Sequence, residues 1–339
     1  MSISAVVPVW NGRALLARLL DTLDAQTIRA DEVIAVDNGS SDEAPELARE
    51  RGVRVIPMGR NAGFAAAVNR GIQEARSEWI AVLNTDVELA PNYFEVCCAA
   101  GTSPGQQPSA ADAAAAPVWF VTGKILEAAH PERIDATFDL TCRGATSWRA
   151  GAGRVDGPLF AKPRCIYSAP WTAALFRAEL FRKIGLLEEQ FESYLEDVDF
   201  GLRCAAQDLA GVYVPEAVAW HQGSATLGRW HPETVRRIAR NQLFLAARHF
   251  PAEMRWQVLI AQALWGGVAL RHGAVVPWAR GIAEGLPAFR KTRDVRKVSS
   301  PSIEKQLRQN ERTIYDLQAA TSFDSYWKLY FLFTGGGTK

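Results

Sequence analysis

The sequence carries no surplus of charge: 38 Lys and Arg stand against 37 Asp and Glu in 339 residues, a formal net charge of +1. Nonspecific phosphate binding normally shows as a basic excess or stripe, so this balance argues against a nucleic-acid partner. Cysteine is scarce. Cys97, Cys98, Cys142, Cys165 and Cys204 form neither a Cys-x-x-Cys knuckle nor a disulfide framework, which predicts reduced thiols in a cytoplasmic enzyme. Long apolar runs are missing too. The charge-free stretch from Trp256 to Leu270 stops at Arg271, short of the roughly 20 residues that cross a bilayer as one helix. The opening Met1-Ser2-Ile3-Ser4-Ala5-Val6-Val7 has no basic region and turns polar by Asn11, so no export signal is expected there.

Two phosphate-binding signatures are also lacking. The first apolar run leads into Pro8-Val9-Trp10-Asn11-Gly12 and not into a Gly-x-Gly-x-x-Gly turn, which argues against a dinucleotide-dependent oxidoreductase. Gly123-Lys124 is followed by Ile125 and not by a hydroxyl residue, so there is no P-loop. No Ser-His-Asp or Cys-His arrangement suggests covalent catalysis. What is present is a chain with 48% hydrophobic residues, long enough to bury a large core.

Its periodicity alternates. Ile3 to Val9 reads as a strand, and a helix from about Arg13 places Leu15, Leu16, Leu19, Leu20 and Leu23 on one face. A second strand, Asp31 to Val36, runs into Asp37-Asn38-Gly39-Ser40-Ser41-Asp42, and a third covers Val53 to Ile56. A helix within Asn61 to Ala75 precedes a buried strand, Trp79 to Leu83, that ends at Asn84-Thr85-Asp86. Such repeats predict an α/β fold with a mainly parallel central sheet, whose ligands bind at the carboxyl ends of the strands. Asn11, Asp37, Asn38 and Asp86 all fall there. Gly101 to Pro117 reads as a surface excursion without chemistry, and Ser147 to Gly157 as a loop on the acceptor side. Further on come a strand at Ala173 to Phe176, helices at Arg177 to Ile184 and Glu196 to Ala206, and a strand at Val212 to Pro215 followed by a loop holding His221. From Glu233 onward the pattern is helical.

Three local patterns carry chemistry. Asn84 and Asp86 offer an amide and a carboxylate two residues apart, hard oxygen ligands suited to a divalent ion, although the same residues commonly only form a turn. Glu196, Asp197 and Asp199 crowd the start of a helix, where the dipole favours negative charge. Asp199 can pair with Arg203 four residues on, whereas Asp197 points elsewhere and stays available to a substrate. Helix capping with one salt bridge is the plainer reading of that segment. His221, with Gln222, Gly223 and Ser224 behind it, can complete a mixed nitrogen and oxygen metal shell, against the plainer reading of a structural histidine.

Read together, Val7-Pro8-Val9-Trp10-Asn11, Val36 to Asp42, Asn61-Ala62-Gly63-Phe64 through Asn69-Arg70-Gly71, Leu83-Asn84-Thr85-Asp86, Glu196-Asp197-Val198-Asp199 with Arg203, and His221 to Ser224 resemble the family 2 glycosyltransferases, in particular their rhamnosyl and galactofuranosyl branch. The resemblance spans about residues 2–247. It implies a GT-A domain over 1–247, with a nucleotide-binding half over about 1–100 and an acceptor half over about 118–247, followed by a helical extension over 248–339 with a flexible tail. It further implies inverting transfer from a nucleotide sugar, dTDP-rhamnose first and a UDP-linked galactofuranose or hexose second, onto a glycan or polyprenol-linked glycolipid.

The resemblance also assigns residues. Pro8 and Asn11 would border the nucleoside, Asp37 and Asn38 would meet the base or ribose, and Gly63 and Phe64 would line the cleft. Asn84 and Asp86 would face the diphosphate, with Mg2+ or Mn2+ held by Asp86 and His221. Asp197 would be the base, supported by Glu196, Asp199, Arg203 and Trp171. This chain has Asn84-Thr85-Asp86 where the family commonly has Asp-x-Asp, and no glycine in Trp171 to Leu175 where members usually have one near Ala173. A nucleotide-sugar-binding scaffold without catalysis is the non-enzyme alternative, and the presence of Asp86, Asp197 and His221 speaks against it. A homo-oligomer is compatible with the sequence. Trp256, Trp265 and Trp278, followed by Arg290, Lys291, Arg293, Arg296 and Lys297, predict peripheral attachment to an anionic membrane, at its inner face; packing of the tryptophans on the domain is the competing reading.

Overall fold

The computed structural model describes residues 1–102, 117–223, 230–291 and 301–336. In chain order its main elements begin with β1 (Ile3–Val9), α1 (Arg13–Asp24), β2 (Glu32–Asp37), α2 (Ala44–Glu50), β3 (Arg54–Pro57), α3 (Phe64–Glu74) and β4 (Trp79–Leu83). There follow β5 (Val87–Leu89), α4 (Tyr93–Thr102), β6 (Phe120–Glu127), β7 (Ile134–Ala136), β8 (Asp139–Thr141), β9 (Ser147–Arg149), β10 (Arg164–Ile166), β11 (Ala173–Arg177) and α5 (Ala178–Ile184). The chain ends with α6 (Glu196–Ala206), β12 (Gly211–His221), α7 (Pro232–His249), α8 (Arg255–Arg271), α9 (Val275–Lys291), α10 (Pro301–Ala320) and α11 (Ser325–Thr334).

Contacts divide the chain into two compact units, and the division does not fall at residue 247. One unit comprises residues 1–138, 151–192 and 209–223, and the other 139–150, 193–208 and 224–339. The reason is packing. The β8–β9 hairpin and α6, expected within the catalytic domain, both lie against α10 in the second unit.

The first unit is built on a sheet of order β10-β12-β6-β11-β4-β1-β2-β3, with β5 added to β12 and β7 to β6. Strands β4, β1, β2 and β3 are mutually parallel, as the strand and helix alternation requires, and antiparallel β11 joins them to the parallel pair β6 and β12. Alternation along β1 sends Ile3, Ala5, Val7 and Val9 into one core with Leu16, Leu19, Leu20 and Leu23 of α1. Val6 faces α3. There a Cβ on Gly71 would come within 2.2 Å of Val6 Cγ1, so only glycine lets that helix approach the strand. Pro8 is tolerated in an interior strand because pairing with β4 ends at Val6, beyond which β1 has a partner on one side only.

Strand β12 departs from expectation. It does not stop at Pro215 but runs on to His221, with a register shift between Val214 and Val218 against β6. A bulge absorbs the residue that cannot donate to the ladder, and the strand resumes beyond it. His221 therefore closes a strand and is not in a loop.

In the second unit, residues 147–149 form β9, paired antiparallel to β8, where the sequence suggests a loop. The hairpin's connection buries Arg143, whose Nε donates to Glu311 Oε2 of α10 at 2.8 Å while Tyr330 of α11 donates to Glu311 Oε1. Ile303, Leu307, Ile314 and Leu317 of α10 and Trp327, Tyr330 and Phe331 of α11 are buried. The excursion read at Gly101 to Pro117 lies almost wholly outside the described residues, as do Ser224, Arg293, Arg296 and Lys297.

Candidate active site

In the first unit the loops after β1 and β2 are tied to each other and to the start of α3. Asn11 adopts φ 61°, its amide N–H donates to Ser40 Oγ at 2.9 Å, and its Oδ1 accepts from Ser41 N at 2.7 Å. Asp37, the last residue of β2, accepts from Ser40 N through Oδ1 at 2.8 Å, a turn typical of aspartate. Asn38 is buried and fully engaged. Its Nδ2 donates to Asn61 Oδ1 and Gly63 O, and its Oδ1 accepts from Ala62 N. Asn38 is therefore a brace between two loops, not a side chain presented to a base. Gly63, at φ 91°, has a packing reason of its own: a Cβ there would come within 2.8 Å of Glu192 O. Phe64, partly buried, opens α3 beside it.

The carboxyl end of β4 meets the end of β12. After Leu83, Asn84 N donates to Thr172 O, and β5 then pairs antiparallel with β12, placing Val87 opposite His221. Gln222 N donates to Asp86 O at 2.9 Å and fixes the turn against that strand. This brings the Asp86 side chain to His221: Oδ1 and Nε2 are 3.2 Å apart. On its other side His221 Nδ1 lies 3.0 Å from Asp135 Oδ2 of β7. Burial lowers the His221 pKa, but hydrogen bonds and charge from Asp135 and Asp86 outweigh it and raise the group to about 9. Asn84 Oδ1, next to this pair, is buried and has no hydrogen-bond partner among the described residues. An orphaned acceptor at the edge of a site is where a ligand donor or water belongs. A cavity of about 280 Å³ lined by Arg76, Glu78, Arg177 and Glu179 lies at the opposite, amino end of β4 and is not part of this arrangement.

Trp171 belongs to the core. It is buried, with ring centroids 4.5 Å from Phe176 and 6.2 Å from Phe181, so its size fills an aromatic cluster and does not wall an acceptor pocket.

In the second unit the three acids at the start of α6 have different fates. Asp199 is fully buried and held by Arg203 Nε at 3.0 Å, Arg248 Nε at 2.8 Å and His249 Nε2 at 2.7 Å. Burial would raise its pKa, yet the hydrogen bond and charge of His249 with the two arginines bring it down to about 2. Glu196 is buried, and burial with the charge of Asp197 pushes its pKa well up. Asp197 stays partly exposed and accepts from Val198 N at 2.8 Å. Burial raises its pKa as well, opposed by the charge of Arg149.

Residues 4–102 match the sequence model described as "Glycosyl transferase family 2". The match covers the first part of the chain, from β1 to α4. Among similar proteins, the N-acetylglucosaminyl-diphospho-decaprenol L-rhamnosyltransferase of Mycobacterium tuberculosis is 28% identical over 303 residues, 77% of this chain and 88% of that protein. Among solved structures, the mannosyltransferase PcManGT from Pyrobaculum calidifontis, in complex with GDP-Man and Mn2+, aligns with a TM-score of 0.51 at 16% identity, over 98% of this chain and 86% of that one. TarS of S. aureus aligns at 0.52 and 15% identity, over 97% and 55% of the respective chains. These likenesses give the fold, a GT-A-like α/β sheet with a C-terminal helical extension.

The donor set at Asp86 decides what metal this site can hold. No group of three or more His, Cys, Asp or Glu side chains among the described residues is arranged to bind an ion. Two neighbouring ligands about 2.1 Å from one octahedral ion stand roughly 3 Å apart, close to the 3.2 Å between Asp86 Oδ1 and His221 Nε2. The pair thus fits as two ligands of an ion whose remaining ligands come from a diphosphate and water, provided that His221 gives up its proton. Asp135 is the residue sequence reasoning missed. Its only signal is a lone acid flanked by Ile134 and Ala136, which are both buried.

Proposed function

We propose that the chain catalyses inverting transfer of a sugar from a nucleoside diphosphate donor to a hydroxyl of a glycan or polyprenol-linked glycolipid. The observation that carries this reading is the contrast within the acidic cluster of α6: Asp199 is locked in ion pairs and Glu196 is buried, while Asp197 stays partly exposed with a raised pKa. A carboxylate whose pKa lies nearer to neutrality is the better general base. Asp197 takes the proton of the acceptor hydroxyl as that oxygen attacks the anomeric carbon from the face opposite the diphosphate, so configuration inverts and no covalent intermediate forms. Asp86 and His221 would hold Mg2+ or Mn2+, which when bound neutralises charge gathering on the departing diphosphate. Asn11, Asp37, Pro8 and the Gly63–Phe64 turn would border the nucleotide, Asn38 acting through the loops it braces.

The donor is proposed as a nucleoside diphosphate sugar. dTDP-rhamnose rests on the motif resemblance, and the name of the mycobacterial relative, an L-rhamnosyltransferase, supports the sugar but not the nucleotide. A UDP-linked hexose or galactofuranose is the broader reading, because no residue placed at the site is particular to rhamnose and the fold is shared with a mannosyltransferase bound to a different nucleotide sugar. The membrane reading has structural support in the second unit. The outward face of α8 consists of Trp256, Leu259, Ala263, Gly267 and Leu270, all exposed, while Gln257 and Gln262 are buried behind it. α11, packed against α8, adds exposed Leu332 and Phe333. Over Arg255–Lys291 the sequence has five Arg or Lys against one acid, Glu284. An exposed apolar face on a segment with a surplus of Arg and Lys suits the interface of an anionic bilayer, where a polyprenol-linked acceptor resides.

The test is a panel of nucleotide sugars given to the parent protein and to Asp197→Asn, with nucleoside diphosphate release and product anomeric configuration as readouts. Asp197→Asn is expected to lose transfer by more than about 100-fold while still binding nucleoside diphosphate in calorimetry. Transfer by that variant at the parent's rate, or a retained configuration, would overturn the mechanism.

A further inference from the structure

The segment that delivers Asp197 is strained. Tyr194 and Leu195, immediately before α6, adopt φ 73° and 69°, two consecutive side-chain-bearing residues in the left-handed region. Leu195 is the N-cap of α6 and has no side-chain oxygen to stabilise the helix start. Such a turn persists only where its surroundings over-determine it.

One helix supplies a set of contacts that hold it. Asn241 of α7 is fully buried, and its Nδ2 donates to Ser193 O at 3.0 Å and to Tyr194 O at 2.7 Å. Its Oδ1 accepts from Arg240 Nε at 2.9 Å, which fixes the orientation of the amide. Two turns earlier on α7, buried Thr234 meets the Tyr194 hydroxyl at 3.1 Å. Two turns later, Arg248 and His249 grip Asp199. Positions 234, 241 and 248 are each seven residues apart and so share one face of the helix. A polar stripe on α7 thus clamps the base-bearing segment from both sides of Asp197, at the turn before it and at the acid two residues after it.

We propose that Asn241 is a positioning residue for the transfer reaction, holding the left-handed turn at Tyr194 and Leu195 so that the Asp197 carboxylate points where an acceptor hydroxyl must lie. The inference rests on the reading of Asp197 as the base. Asn241 touches neither substrate nor reacting atoms, and its effect belongs to kcat and not to donor affinity. Leucine at 241 keeps the volume of the side chain and removes both N–H donors, which frees the turn to relax toward an ordinary conformation and swings the first turn of α6.

The experiment compares kcat, donor KM, calorimetric nucleotide binding and melting temperature for the parent, Asn241→Leu, Asn241→Ser, Leu195→Gly, the double variant Asn241→Leu with Leu195→Gly, and Asp197→Asn. Asn241→Leu is expected to lose kcat by about 100-fold, the effect of a misplacement near 1 Å, with donor KM and nucleotide binding within about twofold of the parent. Serine, smaller but still a donor, should fall between. Glycine enters the left-handed region without strain, so the double variant should recover about tenfold in kcat over Asn241→Leu. A merely structural role would not give that recovery. If Asn241→Leu and Asn241→Ser turn over like the parent, or the double variant regains nothing while all variants melt cooperatively and bind nucleotide, positioning by Asn241 is wrong. Parent-like transfer by Asp197→Asn would remove the base reading itself, and is separately visible.

Discussion

His221 shows how much a single side chain owes to its two neighbours. An imidazole between Asp86 and Asp135 is a cation at neutral pH, its pKa raised to about 9. The sign of the linkage follows from that rise. Stability drawn from charged His221 is complete below about pH 6.5 and is lost as pH climbs through about 9. Metal binding runs the other way, because an ion at Asp86 and His221 must displace the proton. We expect Asp135→Asn to bring the His221 pKa down toward 6.5, measured by imidazole NMR, and to let Mn2+ with nucleoside diphosphate bind at lower pH than in the parent. An unchanged titration would mean that Asp135 does not hold the proton. Asp86 was legible in the sequence because it follows the β4 run, and His221 because it follows the strand-like run at Val212 to Pro215, although that strand in fact extends to His221 itself. Asp135 was not, since a lone acid in a three-residue edge strand carries no periodic signal, and its partner lies 86 positions away.

At the scale of elements, α6 and α7 are joined through a buried carboxylate whose charge is fully compensated. Asp199, depressed to about 2, contributes stability that is present above its unfolded pKa near 4 and disappears as pH falls from about 4 through about 2. The shift corresponds to roughly 2 kcal/mol. Asp199→Asn should lower the denaturant midpoint at pH 7 and flatten the acid limb of the stability curve, as measured by urea unfolding from pH 7 to pH 2. Equal acid sensitivity in parent and variant would show that other carboxylates dominate. The pairing of Asp199 with Arg203 was readable from a spacing of four on one helix. Arg248 and His249 were not, because their approach depends on how α7 lies beside α6 within the second unit.

At the scale of the whole molecule, near-neutral net charge hides a local asymmetry: the exposed apolar stripe of α8 stands among the basic residues of Arg255–Lys291. No helix among the described residues is long and apolar enough to cross a membrane. The parent protein should float with anionic vesicles at low salt, less so at high salt, and Leu259→Glu with Leu270→Glu should abolish flotation without a fall in melting temperature, since both side chains are more than half exposed. A parent protein that ignores every vesicle and instead sediments as a dimer lost in that variant would assign the stripe to a second copy of the chain. The alternation of strand and helix, the fit of β1 through β4 and α6 to their expected spans, and the order of the motif loops were determined by the sequence alone, because a period of two or 3.6 is written into neighbouring residues. Tertiary structure decided the rest. Only packing buries Trp171 among phenylalanines, carries β12 past Pro215 through a bulge to bring His221 to Asp86, draws the β8–β9 hairpin and α6 onto α10, and turns the glutamines of α8 inward. Each of these joins residues far apart in the chain, and local spacing contains no term for such contacts.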